Sequence, residues 1–237
     1  MSSNGLSIQA ISSMATRQVL AELAADYALQ HGVAVAIESV GGVDAARRVM
    51  GGEDFDLVVL SSEAIDKLFD AGRLLGGSRV ELMRSEIAVA VPAGAPLPDI
   101  STESALRAAV LQAPKLAFST GPSGVYITQL FERWGLAQEL QPRLVQAPAG
   151  VPVASLLASG RVSLGFQQLS ELQSAPGVKV VGTLPKGIAF VTTFAAGVGL
   201  HCQQPDVVAA WLQYLLSPDA APVMLRHGLA SAAPSFS

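Results

Sequence analysis

A single cysteine, Cys202, occurs in this chain of 237 residues, which excludes an internal disulfide and any metal site built from several cysteines. Charged residues make up only 14% of the chain, and lysine and arginine form no extended run. With a net charge of −4, the chain lacks the basic patch that nucleic-acid binding requires. No apolar run approaches the roughly 20 residues that span a bilayer. We therefore expect neither nucleic-acid binding nor membrane insertion.

The three histidines share no spacing that is typical of a metal site, so we predict no metal and no cofactor. The first five residues offer neither the basic segment nor the apolar core of a signal peptide. The expectation from the sequence as written is a cytoplasmic protein, or a periplasmic one if a signal peptide was removed.

Apolar strands alternate with helical patterns along the chain, and half of all residues are hydrophobic. The predicted strands cover 6–11, 33–39, 56–60, 87–92, 116–118, 144–146, 162–166, 178–181 and 188–200. The predicted helices cover 16–30, 44–50, 63–70, 105–112, 125–134, 153–159, 205–216 and 219–226. This alternation predicts an α/β protein with mainly parallel sheets, flanked by helices and joined by right-handed crossovers. Two lobes are expected, residues 1–85 with 192–237 and residues 86–191, because long strands near 84–91 and 189–198 suit crossings between them.

Several predicted strands end in small residues that open a helix. The sequence Ser12-Ser13 follows the first strand, and Gly41-Gly42 follows the second. In the second half, helices open near Ser123 and Gly150. The first N–H groups of a helix have no partner within it and lie at the positive end of its dipole. Such junctions at one edge of a parallel sheet predict an anion-binding site.

The order of these segments resembles the type II periplasmic solute-binding proteins, and within them the molybdate-binding group. The matching segments are Ala10-Ile11-Ser12-Ser13, Ala45-Ala46-Arg47-Arg48-Val49-Met50-Gly51-Gly52, Phe55-Asp56-Leu57-Val58-Val59-Leu60-Ser61-Ser62, Ser123-Gly124-Val125-Tyr126 and Leu164-Gly165-Phe166. The resemblance covers nearly the whole chain and implies a two-lobed fold with a ligand cleft between the lobes. The scaffold is also similar to that of aconitate isomerase.

In the family that the chain resembles, hydroxyl and backbone N–H groups hold an oxyanion without a cation. The resemblance implies ligand-binding positions in both lobes. In the first lobe these are Ser12, Ser13, Gly41, Gly42 and Val43. In the second lobe they are Ser123, Gly124, Val151 and Gln168.

Two departures from the molybdate-binding pattern favour an organic carboxylate over molybdate. The second loop is usually rich in serine, but here it is Val40-Gly41-Gly42-Val43, which offers only N–H groups. A tyrosine usually follows the strand near Gly165, but here Gln167-Gln168 stands in its place, and an amide both donates and accepts hydrogen bonds. Arg17 and Arg84 are possible partners for a ligand carboxylate, with a structural ion pair as the alternative for Arg84.

Three functions remain open from the sequence. A binding protein would hold a small anion without chemistry and, if exported, would serve the membrane component of an ABC transporter. A cytoplasmic isomerase would move a double bond in a di- or tricarboxylate by proton transfer, with Ser170 and Glu171 near Gln168 as available groups. Glu171 is expected on the solvent face of its helix, so no base is assigned. A cytoplasmic anion sensor would use the same site.

Overall fold

A computed structural model describes residues 7–232 of the protein. Its strands are β1 (Ser7–Ser13), β2 (Ala34–Val40), β3 (Leu57–Ser61), β4 (Val80–Pro92), β5 (Leu116–Phe118), β6 (Leu144–Gln146), β7 (Leu164–Gln168), β8 (Val178–Thr183), β9 (Val191–Val198) and β10 (Ala230–Ser231). Its α-helices are α1 (Arg17–His31), α2 (Gly42–Met50), α3 (Ser62–Asp70), α4 (Glu103–Gln112), α5 (Pro122–Arg133), α6 (Ala137–Leu140), α7 (Val153–Ala158), α8 (Leu169–Leu172), α9 (Pro205–Leu215) and α10 (Ala220–Arg226). Short 3-10 turns cover Met14–Thr16, Gln141–Arg143 and Lys186–Ile188.

The described chain forms two compact units. The first contains the residues up to Arg84 together with those from Thr193 onward, and the second is Ser85–Thr192. Strands β4 and β9 carry the chain from one unit to the other. These boundaries differ by one residue from the lobe boundaries expected from the sequence.

The sheet of the first unit places β1 between β2 and β3, and both neighbours run parallel to it. Strand β9 pairs antiparallel with β3, and β10 pairs antiparallel with the first-unit end of β4. The run Leu57–Leu60 explains the layering, because its alternate side chains enter two different cores. Leu57 and Val59 pack with α1 and α9, whereas Val58 and Leu60 pack with α2 and α3. A strand that is covered on both faces requires such a continuous apolar run.

The sheet of the second unit has parallel β5, β6 and β7 beside the antiparallel β4 and β8. Strand β4 alternates in the same way, since Val89 enters one apolar core and Ala88 and Ala90 enter the other. The small residue Gly165 lets α7 approach β7 closely, because a Cβ atom there would lie 2.6 Å from Val153 Cγ1. Both units are therefore α/β layers, as predicted, although their sheets are mixed.

The structure corrects several predicted element boundaries at the sheet edges. Strand β1 continues through Ser12 and Ser13, which were expected to interrupt it, and the predicted Leu6 lies outside the described residues. Helix α2 begins at Gly42, so the expected loop is shorter. Helix α5 begins at Pro122, because proline suits the first helical position, and it therefore includes Ser123 and Gly124. Helix α4 takes Thr102 as its N-cap, whose side chain accepts a hydrogen bond from the Ala105 N–H at 3.1 Å.

Within residues 7–232, no helix combines the length and the apolar character that crossing a bilayer requires.

Candidate functional site

Hydroxyl groups gather at the carboxyl edge of the parallel strands in the first unit. Ser12 on β1 is in register with Ser39 on β2, and their Oγ atoms lie 2.7 Å apart. Ser12 is fully buried and Ser39 is partly buried. The second strand therefore brings a hydroxyl to this edge, in addition to the N–H groups that the following loop was expected to offer. The sequence reasoning missed Ser39 because the pairing becomes visible only once the register is known.

Ser13 is the most informative of the predicted positions in the first unit. Its side chain is 7% exposed, and its Oγ atom has no hydrogen-bond partner among the described residues. A Cβ atom at Gly42 would lie 3.6 Å from Ser13 Cβ, so this serine stands beside the start of α2. Helix α2 begins after Gly41 without a side-chain cap, which leaves its first N–H groups without partners inside the helix. An unpaired buried hydroxyl next to a helix N-terminus suits an anionic ligand.

Ser62 adds a second buried hydroxyl at the same sheet edge. It is the first residue of α3, directly after the carboxyl end of β3, and β3 is the parallel neighbour of β1. Its Oγ atom also has no partner among the described residues. Ser61-Ser62 belongs to a segment that matches the resembled family but was not among the predicted ligand-binding positions, although its pattern of strand, serine pair and helix is that of Ser12-Ser13.

In the second unit, Ser123 and Gly124 lie in the first turn of α5, after the carboxyl end of β5. Ser123 is buried, and its Oγ atom lies 2.9 Å from Ser119 Oγ. Gly124 has a structural reason to be glycine, because a Cβ atom there would lie 1.7 Å from the Ser119 carbonyl oxygen. The structure thus places both residues at a helix N-terminus, and it gives Gly124 a role in packing that does not depend on a ligand.

Gln168 ends β7, next to β5 in the parallel sheet. Its side chain is 3% exposed, and its Nε2 donates to Thr192 Oγ1 at 2.6 Å. The buried Oε1 atom has no partner among the described residues. Because a threonine hydroxyl both donates and accepts, either end of the amide can face Thr192 and leave the other end for a ligand. Thr192, which gave no signal in the sequence, thus joins Gln168 in the candidate site.

Val151 fits the predicted role of an N–H donor less well. Its N–H donates to the Pro148 carbonyl oxygen at 2.9 Å, so this group is already used within the loop. The following helix, α7, has six residues, and the N–H of Val153 donates to Gln167 Oε1 at 3.0 Å. The Val151 side chain is instead the exposed feature of this loop, at 38%.

Two more apolar side chains stand exposed in the first turns of the helices at these edges. Val43 on α2 is 60% exposed, and Val125 on α5 is 53% exposed. The predicted position Val43 therefore offers an apolar surface in addition to its backbone N–H. Exposed valines beside polar groups suit a ligand that carries a carbon skeleton as well as charge.

Glu171, on α8, is more buried than expected. Its Oε1 accepts a hydrogen bond from Gln167 Nε2 at 2.7 Å, and the residue is only partly exposed. Burial raises the pKa of the Glu171 carboxyl to about 7, and the hydrogen bond from Gln167 acts in the opposite direction. The expectation that Glu171 lies on the solvent face is therefore wrong.

The raised pKa of Glu171 predicts a pH-dependent stability. The folded state keeps this proton to about pH 7, whereas the unfolded chain loses it near its ordinary value of 4.5. Between these values the unfolded state binds fewer protons, so the free energy of unfolding falls as the pH rises. Glu171→Gln has no such proton to lose, so its free energy of unfolding should not fall in this way. The difference between the variant and the wild type in free energy of unfolding should therefore rise by about 1–3 kcal/mol from pH 4.5 to pH 8.

Urea unfolding at a series of pH values measures this difference. The exposed Glu132→Gln on α5 is the matched control and should show no such trend. A Glu171→Gln difference that is independent of pH would contradict the assignment.

The two predicted arginine partners are both exposed. Arg17 opens α1 and has no ion pair with any described residue. Arg84 Nη2 lies 3.7 Å from Glu81 Oε2, which agrees with the structural alternative for this residue. Contact of either arginine with a ligand stays a prediction. Among residues 7–232, no group of three or more histidine, cysteine, aspartate or glutamate side chains is placed to hold a metal ion.

Comparison with known proteins identifies the family to which the chain belongs. The family model of the bacterial extracellular solute-binding proteins matches residues 8–230. The chain therefore belongs to the bacterial extracellular solute-binding protein family.

Individual relatives differ in what their names describe. The chain is 39% identical to the aconitate isomerase of a Pseudomonas species over 183 residues, which is 77% of this chain and 70% of that protein. It is 23% identical to the molybdate-binding protein ModA of Escherichia coli K12, over 87% of this chain and 82% of that protein. The structure of the periplasmic molybdate-binding protein of Azotobacter vinelandii aligns with this protein with a TM-score of 0.79 at 22% identity. The alignment covers 97% of this chain and 100% of that one. The predicted resemblance and the predicted fold class are confirmed.

Proposed function

We propose that this protein binds a small organic polycarboxylate and moves a double bond within it, as an isomerase of an unsaturated tricarboxylate such as aconitate. The observation that carries this proposal is the 39% identity with aconitate isomerase over 70% of that protein. The similarity to the molybdate-binding protein of Escherichia coli is lower, at 23%.

The two sheet edges support a carboxylate as the ligand. The first offers the Ser13 hydroxyl beside the N-terminus of α2, a neutral arrangement that stabilises negative charge. The second offers the free end of the Gln168 amide, which can orient a carboxylate or a hydroxyl group. In the second unit, the exposed side chains of Val125 and Val151 would contact carbon atoms of the ligand. A tetrahedral metal oxyanion has no such apolar part.

A second candidate function is that of a receptor that binds an organic anion without chemistry. The family description as extracellular solute-binding proteins favours it. In that case, an exported form of the protein would deliver its ligand to the membrane component of an ABC transporter. The two functions share one ligand class and differ in whether a C–H bond of the ligand is broken.

A ligand screen by thermal unfolding tests the ligand class. A ligand that binds only the folded state at 100 times its Kd stabilises the protein by about 2.7 kcal/mol, which raises the Tm by several degrees. We expect cis- and trans-aconitate and related tricarboxylates to raise the Tm, and molybdate, tungstate and sulfate at equal ionic strength to leave it unchanged. A large shift with molybdate and none with any carboxylate would overturn the proposal.

A further inference from the structure

Glu171 is the one shielded acid–base side chain of the second unit. Every residue of Ser85–Thr192 is described, and the other carboxylates in this range are all exposed: Glu86, Asp99, Glu103, Glu132 and Glu139. The range contains no histidine and no cysteine. Its single tyrosine, Tyr126, is engaged, because its hydroxyl donates to the Ile188 carbonyl oxygen at 2.8 Å.

The fold brings Glu171 to the same sheet edge as the predicted ligand-binding residues. It lies on α8, which begins directly after Gln168 at the carboxyl end of β7. Ser123 follows the carboxyl end of β5, and β5 and β7 are adjacent and parallel. The carboxyl ends of adjacent parallel strands meet at one edge of a sheet, where ligands of α/β proteins bind.

Gln167 holds the Glu171 carboxylate in a defined orientation. The Gln167 amide accepts from the Val153 N–H at 3.0 Å through Oε1 and donates to Glu171 Oε1 at 2.7 Å through Nε2. Both ends of this buried amide are thereby fixed. The second carboxylate oxygen of Glu171 has no hydrogen-bond partner or ion pair among the described residues.

We propose that the carboxylate of Glu171 removes and returns the proton when the double bond of the ligand moves. This inference rests on the isomerase function proposed above. The carboxylate takes a proton from the carbon next to the C=C bond, and the electron pair of that C–H bond forms the new double bond. The electrons of the former double bond take a proton at its far carbon. The product is an isomer, so the step needs no oxidant, reductant or co-reactant.

The surroundings of Glu171 suit this task near neutral pH. A group that both accepts and donates a proton works best when its pKa is close to the working pH, and burial raises the pKa of Glu171 to about 7. Helix α8 packs against β7 and β8, and the Ser170 N–H donates to Ser85 Oγ on β4 at 3.4 Å. Strand β7 carries no charged residue, and the one charge on β8, Lys179, is exposed. Arg84 and Glu86, the charged neighbours of Ser85 on β4, are exposed as well. Removal of the proton should therefore be controlled by burial and by Gln167.

The test compares the wild type with Glu171→Gln, which keeps an oxygen to accept from Gln167 Nε2. We expect isomerisation of aconitate to fall by about 100- to 10,000-fold. The Kd for aconitate should change less than threefold. The wild-type kcat/KM should rise with pH up to about pH 7, which gives the pH–rate profile an acidic limb. The residual activity of the variant should not show this rise. Glu171→Asp keeps a carboxylate and should recover part of the rate, and Glu132→Gln should match the wild type.

Full activity in Glu171→Gln, or an unchanged pH limb, would overturn the role of Glu171 while leaving the isomerase function intact. Weakened binding in Glu171→Gln that accounts for the whole loss of rate would also overturn it. A wild type that binds aconitate without isomerising it would overturn both proposals.

Discussion

We expect the double variant Ser13→Ala/Gln168→Ala to bind aconitate about 100-fold or more weakly than the wild type. At the proposed ligand-binding positions, each substitution would remove one hydrogen bond to a charged ligand, and such a bond contributes about 1.5–3 kcal/mol. Because a factor of ten in Kd corresponds to about 1.4 kcal/mol, each single variant should bind about 10- to 150-fold more weakly. Independent contributions add, so the double variant should show the product of both losses. Isothermal titration calorimetry with aconitate measures all three values.

The single variant Ser13→Ala should lose affinity for the ligand but not stability. Among the described residues the buried Ser13 hydroxyl has no hydrogen-bond partner, and an unpaired buried hydroxyl costs free energy. Its removal should therefore leave the free energy of unfolding unchanged or slightly higher while the affinity falls. Ser217→Ala is the matched control, because its buried Oγ atom also has no partner within residues 7–232 but lies between α9 and α10. An unchanged affinity in the double variant would show that the binding site is elsewhere.

A substitution at Gly124 should strongly lower the free energy of unfolding. The Cβ atom of Gly124→Ala would lie 1.7 Å from the Ser119 carbonyl oxygen and 2.7 Å from the Ser119 carbonyl carbon. Both are backbone atoms, so the start of α5 must shift to relieve the contact. Overpacking of a well-packed interior costs about 1–3 kcal/mol and sometimes more, and we expect the upper end of this range.

Urea unfolding measures this loss, and the affinity for aconitate should fall with it because Ser123 moves with the helix. Gly187→Ala, where no atom lies within 4 Å of the added Cβ, should be nearly neutral. A Gly124→Ala protein with wild-type stability would contradict the packing described for this turn.

The layered core was predictable from the sequence because it depends on local patterns. The run Leu57–Leu60 is apolar without interruption, and such a run indicates a strand that is buried on both faces. Helix ends at Gly32 and Gly72 were also predictable, since both glycines adopt the left-handed conformation, with φ values of 68° and 65°. The α/β class followed from the alternation of these elements.

The details of the site were less predictable because they depend on partners that are distant in sequence. Ser39 joined the candidate site only through its register with Ser12, and Thr192 only through its hydrogen bond to Gln168. Glu171 was misjudged because a four-residue helix is too short for its buried face to be read from periodicity. The start of α5 was placed too late because Gly121-Pro122-Ser123-Gly124 is typical of a turn, although proline also suits the first helical position.

Proton NMR of aconitate incubated with the wild-type protein in heavy water tests the central claim most directly. An isomerase that moves a proton along the carbon skeleton should form the other geometric isomer. We predict this isomer at catalytic protein concentrations, with deuterium on its allylic carbon in every turnover in which the Glu171 proton exchanges with solvent before its return, and neither signal with heat-inactivated protein. Retention of every carbon-bound proton with no second isomer, at a protein concentration that binds the ligand, would contradict the enzymatic function and leave the receptor.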